Sequence, residues 1–320
     1  MQLNFMKDLT GRFRASALLA GWPGMGSVGV GAIDYIRRKL NAEVFAEIDM
    51  HTYFTAEAVM VENGIATLPD SPTHLFYASP EHNLLIFQSE AQIGGTPGIE
   101  LMEKILDVSQ QFGVETVFTG AAYQMPVSHK EQVQVLGVAN NEAFRDSMVP
   151  YGVDILQQGL VSGLNGLLLG FAAKRHLDAA CLLGTMPQYA ATIPNPKASR
   201  ALVQVLGRML HFNVDLTEID DAVEKMESTM EDIEGQIQKA FANMDQEREE
   251  DTHLERIEEE KVPQSVMTRI EKLFGEVQQQ TTREQFQKKA NKLKEELDKW
   301  NLYPFYEDRF LNLFRKDGGG

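Results

Sequence analysis

Apolar positions fall into two regimes along this chain. From the N-terminus to about Asp215, short runs of consecutive apolar or β-branched residues alternate with longer segments of helical periodicity, and glycine or proline punctuates them. That alternation predicts an α/β sheet domain. Ala17 to Gly21 reads as a first buried strand and Ser27 to Leu40 as the helix after it. Glu43 to Met50, Thr52 to Val61, His74 to Ala78 and Leu84 to Ser89 read as successive strands, with turn signals at Glu62-Asn63-Gly64 and Pro80-Glu81-His82-Asn83. Pro97 to Phe112 is a predicted helix, with proline early and Gly113 just past its end. Val114 to Ala121 and Val133 to Ala139 are further strands, and Leu164 to His176, Ala179 to Gly184 and Lys197 to Phe212 give helix, strand, helix. The pattern implies a mixed sheet covered on both faces.

After Asp215 the strands and glycine-rich turns stop. Ile219, Val223, Met226, Met230, Ile233, Ile237, Ala240 and Met244 recur at alternating spacings of four and three, which is a heptad seam. A second seam runs Val266, Ile270, Leu273, Val277 and a third Phe286, Ala290, Leu293, Leu297, Trp300, with breaks at Pro263 and Thr281-Thr282. Helices with so narrow an apolar stripe need a partner. They fold back as a bundle, dock on the α/β domain, or pair with another subunit. The predicted organisation is an α/β domain over 1–215, an acidic, coiled-coil-like helical extension over 216–317 and a flexible tail over 318–320.

Charge sharpens this division. Of the net −16, the segment Thr217 to Gly320 holds 26 acidic and 16 basic residues, a net of −10, leaving −6 for the front part. The cations that neutralise phosphate are in deficit, so neither nucleic acid nor an anionic membrane is an expected partner. The most apolar run, Leu164 to Phe171, ends at Lys174-Arg175-His176, short of the ~20 residues that span a bilayer. Met1 to Thr10 contains no secretory leader pattern. The single cysteine, Cys181, lies in an apolar run and cannot form an intrachain disulfide, which fits a reducing, cytoplasmic setting.

One motif invites a ligand. Gly24-Met25-Gly26-Ser27-Val28-Gly29 matches G-x-G-x-x-G between a strand and a helix, with Glu47 and Asp49 about where a ribose-binding acid belongs. Glycines there let backbone amides approach an anion at a helix start. Yet further strands follow the second strand where a dinucleotide fold needs a crossover helix. Three readings stand: a structural turn in which glycines permit close packing, a ligand- or partner-binding loop, and a dinucleotide site.

The stretch Gly21-Trp22-Pro23-Gly24-Met25-Gly26-Ser27-Val28-Gly29 resembles the opening signature of the PAC2-like superfamily of proteasome assembly chaperones and their archaeal and bacterial relatives. A second block strengthens the resemblance: Gly163-Leu164-Asn165-Gly166-Leu167-Leu168-Leu169, then Cys181-Leu182-Leu183-Gly184-Thr185, then Tyr189 and Pro194-Asn195-Pro196-Lys197-Ala198-Ser199. The resemblance covers roughly Leu18 to Leu210. It implies a three-layer α/β/α sandwich similar to phosphorylase-like domains, self-association, and protein partners that include proteasome subunits. Two departures stand out. Gly184-Thr185-Met186 replaces the Gly-Glu-Thr of many relatives. The hydrophobic-Tyr-any terminus of archaeal members is absent: Phe305-Tyr306-Glu307 is internal, and the sequence given closes on Asp317-Gly318-Gly319-Gly320, read as a flexible end.

No catalytic set emerges. The histidines His51, His74, His82, His129, His176, His211 and His253 lack metal-ligand spacing, and Ser128-His129 are loop neighbours without a nucleophile elbow. Glu57, Glu62 and Glu90 read as solvated carboxylates at strand ends. No metal and no cofactor is expected. If a cleft exists, it belongs at the carboxyl ends of the strands. The candidate ligand- or partner-binding residues there are Trp22, Gly24, Met25, Gly26, Ser27, Gly94, Gly95, Thr96, Tyr123, Gln124, Thr185, Met186, Gln188 and Tyr189. The resulting expectation is a non-enzymatic, homo-oligomeric protein-binding factor; the alternative is an enzyme or sensor that binds a nucleotide, nucleoside or other anion through Gly24 to Gly29.

Overall fold

The computed structural model describes residues 1–9, 11–54, 58–231, 233, 235, 264–278, 283–300, 302, 303, 306, 307, 309, 310 and 313. Outside them lie Glu57, Ile237, Ala240, Met244, His253, Pro263, Thr281-Thr282, Phe305 and Asp317 to Gly320, all singled out above. The chain forms two compact units, Met1–Ile233 and Glu234–Gly320.

The first unit is built on a nine-stranded mixed sheet. Its strands are β1 (Gln2–Phe5), β2 (Ala17–Gly21), β3 (Glu43–Asp49), β6 (His74–Ser79), β7 (Leu84–Ser89), β8 (Thr116–Met125), β9 (Val135–Ala139), β10 (Asp154–Ile155) and β11 (Asp178–Pro187), ordered β1-β3-β6-β7-β2-β8-β11-β9-β10. The four central strands β7, β2, β8 and β11 run parallel, and antiparallel neighbours flank them. β2, with all five residues buried, takes the middle, as continuously apolar strands do when both faces are covered. Alternation along the strands sorts their side chains. Leu18, Ala20, Cys181 and Leu183 meet the helices α2 (Gly95–Gln111) and α4 (Gly163–Lys174). Ala17, Leu19, Ala180 and Leu182 face the core formed with α1 (Val28–Lys39), α3 (Glu142–Met148) and α5 (Pro196–Leu210). The result is a three-layer α/β/α sandwich.

Three readings of the sequence change. The strand expected over Thr52 to Val61 is a 3-10 turn at His51–Tyr53, then β4 (Met60–Glu62), which pairs only with β5 (Ile65–Thr67) in a separate hairpin. Asn63 and Gly64 both take positive φ, 51° and 81°, as a tight two-residue hairpin turn requires. β1, α3 and β10 were not anticipated; α3 is capped by Asn141, whose side chain accepts from Phe144 N at 2.9 Å. The first heptad seam is also divided. Residues 217–231 form a helix (α6) inside the first unit, with Ile219 and Met230 buried in the core shared with α1 and α5.

In the second unit α7 (Gln264–Gln278) and α8 (Arg283–Lys299) pack on one another. Val266, Ile270, Leu273 and Val277 bury against Phe286, Ala290, Leu293 and Leu297, so the second and third seams cover each other. Arg309 spans this core, donating to both Glu271 carboxylate oxygens at 2.6 and 2.7 Å and lying over the Phe274 ring. Among the described residues no helix is long and apolar enough to cross a membrane.

Candidate functional site

The glycine loop follows the carboxyl end of β2. Gly26 (φ 56°) and Ser27 (φ 50°) turn the chain from strand to helix. Its amides are already engaged: Gly26 N donates to Ala191 O at 2.9 Å, Ser27 N to Gly24 O at 3.0 Å, and Val28 N to Met25 O. Asn195 N returns a bond to Gly26 O at 2.8 Å, so the loop is stitched to the segment entering α5. A ligand phosphate would find these three donors occupied. Gly29 has a different task. A Cβ there would stand 1.9 Å from Gly120 O, because α1 lies directly on the backbone of β8. Trp22 is fully buried, its ring 5.4 Å from Phe87, and Met25 is exposed.

The other loop residues gather on both faces of the same sheet edge. β11 and β8 are in register with Thr185 opposite Tyr123 and Met186 opposite Gln124. Met186 packs under Gly26, and Thr185 Oγ1 accepts from Gln134 N at 2.8 Å, binding β11 to the segment before β9. Gly94, Gly95 and Thr96 start α2 on the opposite face and are exposed. Gln92 ties that side together, donating to Pro23 O at 2.8 Å while its Oε1 accepts from Leu164 N at 3.0 Å. Gln188 is exposed.

Tyr189 belongs to a cluster that sequence reading missed. Its hydroxyl accepts from His129 N at 3.2 Å and lies 3.2 Å from His129 Nδ1, while Lys197 Nζ donates to His129 O at 2.7 Å and pairs with Glu227 at 2.9 Å. A cavity of about 30 Å³ beside His129, Thr185, Met186, Lys197 and Met226 has room for about one water. These groups bond to each other and to α6, which makes them a clasp. The clasp extends along α6: Glu218 meets Arg38 and Lys39, Asp220 meets Arg200, and Glu231 meets Lys130. Lys39 first and Arg38 second hold the Glu218 carboxyl below its ordinary range, and Lys130 does the same for Glu231. Five acid–base contacts between distant segments leave no simple sequence signal.

Two histidines, His74 and His51, have structural settings. His74 is buried and shares a 2.8 Å contact with Ser89 Oγ, and His51 pairs with Asp49 at 2.6 Å. No group of His, Cys, Asp or Glu among the described residues could hold a metal ion.

What the surface does offer is uncovered apolar area. Val59, Met60, Val61, Ile65 and Leu68 on the β4–β5 hairpin are 52–73% exposed. An isolated two-stranded sheet is marginal in water, and here it presents its apolar residues to solvent. Tyr53 and Phe54 at its base are also exposed, and the Tyr53 hydroxyl donates to Glu100 at 3.1 Å. That bond joins the base to the first turns of α2, where Ile99 is exposed beside it. Leu160 (89%) and Leu167 (55%) add to the uncovered apolar surface at and before α4, which packs beside α2.

The profile of the PAC2 family matches residues 18–234. Among solved structures the chain is similar to Pyrococcus furiosus PbaB, described as an archaeal proteasome activator, at 24% identity and TM-score 0.61 over 73% of this chain and 98% of that one. It is similar to P. furiosus PbaA, described as an archaeal homolog of proteasome-assembly chaperone, at 24% identity and TM-score 0.58 over 77% and 98%. Among curated proteins an uncharacterized protein of Methanocaldococcus jannaschii is 24% identical over 221 residues, covering 68% of this chain and 82% of its own. At these identities the structural likeness shows the fold.

Proposed function

The chain belongs to the PAC2 family, and on that premise we propose that it is a non-enzymatic, self-associating protein-binding factor of the cytoplasm whose partners are proteasome subunits. The observation that carries this reading is the uncovered apolar surface of the β4–β5 hairpin and α2. Contiguous exposed apolar patches mark interaction sites. Two further observations support it. The amides of Gly26, Ser27 and Val28 in the glycine loop bond to the protein's own carbonyls, which weighs against the anion-binding alternative. The polar cluster at the sheet edge is a set of mutual bonds between loop and helix. The descriptions of PbaA and PbaB give the class of partner.

The test is native mass spectrometry of the full chain mixed with proteasome α subunits of its own host. Expected are self-associated species and a discrete complex that a Val61→Asp, Ile65→Asp variant does not form. A chain that stays monomeric and forms no complex at micromolar concentration overturns the reading.

A further inference from the structure

The apolar hairpin stands in an unusual electrostatic setting. Between Lys39 and Lys104 the sequence contains no lysine and no arginine. This stretch contributes β3, the hairpin, β6, β7 and the start of α2. Glu62 on the hairpin, Asp70 after it, and Glu90 and Glu100 are all exposed. Glu90 Oε2 accepts from Thr73 N at 2.8 Å and Glu100 accepts from Tyr53, so each carboxylate is held by a segment that flanks the hairpin in sequence. The Met1 ammonium lies 3.4 Å from the Tyr53 hydroxyl, and Lys104 follows Glu100 by one turn of α2. An apolar centre with a carboxylate rim selects its complement.

Two copies meeting through this face would set rim against rim, and each copy carries a net charge of −16. Like charges brought together in an interface oppose association. Many cations of the first unit are committed to its own carboxylates, among them Arg38, Lys39, Lys130, Lys197 and Arg200 on α6, Arg175 on α2 and Lys7 on β3. β4 and β5 pair only with each other, so among the described residues the outer edge of each strand is open to an added strand.

We propose that the β4–β5 hairpin docks an extended segment of a different protein in which apolar residues alternate with lysine or arginine. The proposal rests on the protein-binding reading above and names the chemistry of the partner. The added strand places its apolar residues on the face of Val61 and Ala66, and its cations on the opposite face beside Glu62.

Fluorescence anisotropy of the full chain with two labelled peptides tests it. One peptide alternates valine and tyrosine with lysine, and the other carries glutamate at every lysine position. The lysine peptide binds saturably, and it binds more weakly at about 1 M salt, where the Debye length is ~3 Å against ~10 Å at 0.1 M. The glutamate peptide binds roughly tenfold more weakly, the order expected of a few charge pairs. Val61→Asp with Ala66→Asp, both on the apolar face, weakens the lysine peptide about 30-fold, the loss typical of central contacts. Glu62→Lys narrows the gap between the peptides. These side chains are exposed, so circular dichroism of the variants matches the parent.

Equal binding of both peptides, abolished by the double substitution, overturns the cationic partner while leaving a protein-binding surface in place. Binding of neither peptide overturns the proposal, and the proteasome-subunit experiment decides the broader reading separately. A double variant that changes the sedimentation coefficient of the full chain alone assigns the hairpin to a second copy and also overturns the proposal.

Discussion

Replacing Gly29 with alanine forces α1 off the strand beneath it. The new Cβ would stand 1.9 Å from Gly120 O, 2.2 Å from Gly120 C and 2.9 Å from Ala121 N, all of them backbone atoms that no rotamer change can clear. Restoring ordinary contact near 3.5 Å requires a retreat of roughly 1.5 Å. That movement loosens Val28, Ala32, Ile33 and Ile36, all buried against the sheet. Overpacking against fixed atoms costs about 3 kcal/mol, the upper part of its usual range, and the better helix propensity of alanine offsets at most ~1 kcal/mol. A net loss of about 2–3 kcal/mol lowers the melting temperature of a unit this size by roughly 4–12 °C. Gly24→Ala is the control, because its Cβ meets nothing within 4 Å and its backbone (φ −166°) is extended. It stays within about 0.5 kcal/mol of the parent. Gly26→Ala falls between: its left-handed φ of 56° costs about 1–2 kcal/mol, and its only contact under 3.0 Å is the movable Met186 methyl. Thermal unfolding by circular dichroism gives the order Gly29 > Gly26 > Gly24. A Gly24→Ala loss equal to that of Gly29→Ala, or a Gly29→Ala melting temperature equal to the parent's, refutes the packing argument.

Three other outcomes follow from the same geometry. Met230→Ala, with its parent side chain 2% exposed in the core, costs about 2–5 kcal/mol, and a chain ending at 215 is far less stable than one ending at 233; equal melting temperatures for the two truncations would detach α6 from the first unit. Burial pushes the Cys181 thiol from 9.0 to about 11, so the unfolded chain ionises first and stability falls by up to ~3 kcal/mol as pH rises from 9.0 through 11. Urea unfolding of Cys181→Ala should lack that alkaline slope, and an unchanged slope would assign it to other groups. Glu218 and Glu231 titrate below the ordinary 4.5, so their ion pairs seat α6 above that pH and release it as pH falls through the lower folded values. Hydrogen exchange over 217–231 should accelerate there before α5 does; simultaneous loss of both would count against the clasp.

Much of the sandwich is legible because its central strands are apolar throughout. The pattern gives Ala17–Gly21 and Leu84–Ser89 to the residue, and β8 and β11 with shifted or shorter ends. Edges are harder. β1 is a half-exposed mixture, Gln2–Phe5, whose strand character comes from pairing with β3, and β10 has two residues. α3 is capped by Asn141, but its seven residues carry little periodicity. The hairpin turn Glu62-Asn63-Gly64 was visible, while its detachment from the main sheet depends on partners it does not find. The glycine loop shows the limit most clearly. Its motif fits a phosphate cradle, and only the fold reveals that Ala191 O, 165 residues along the chain, takes the Gly26 amide.

The placement of β2 also sets a schedule for synthesis. Strand Ala17–Gly21 is synthesised well before one of its two neighbours, β8, which begins only at Thr116. At ~5–20 residues per second, the intervening stretch takes roughly 5–20 s to emerge. β7, Leu84–Ser89, is made only late in that interval, and until β8 follows it alone can shield one edge of a wholly apolar strand. β11, which closes β8 to β9, comes later still. The nascent chain therefore carries an open, sticky sheet margin for much of its translation, and that is the period in which it most needs a holdase beside the exit tunnel.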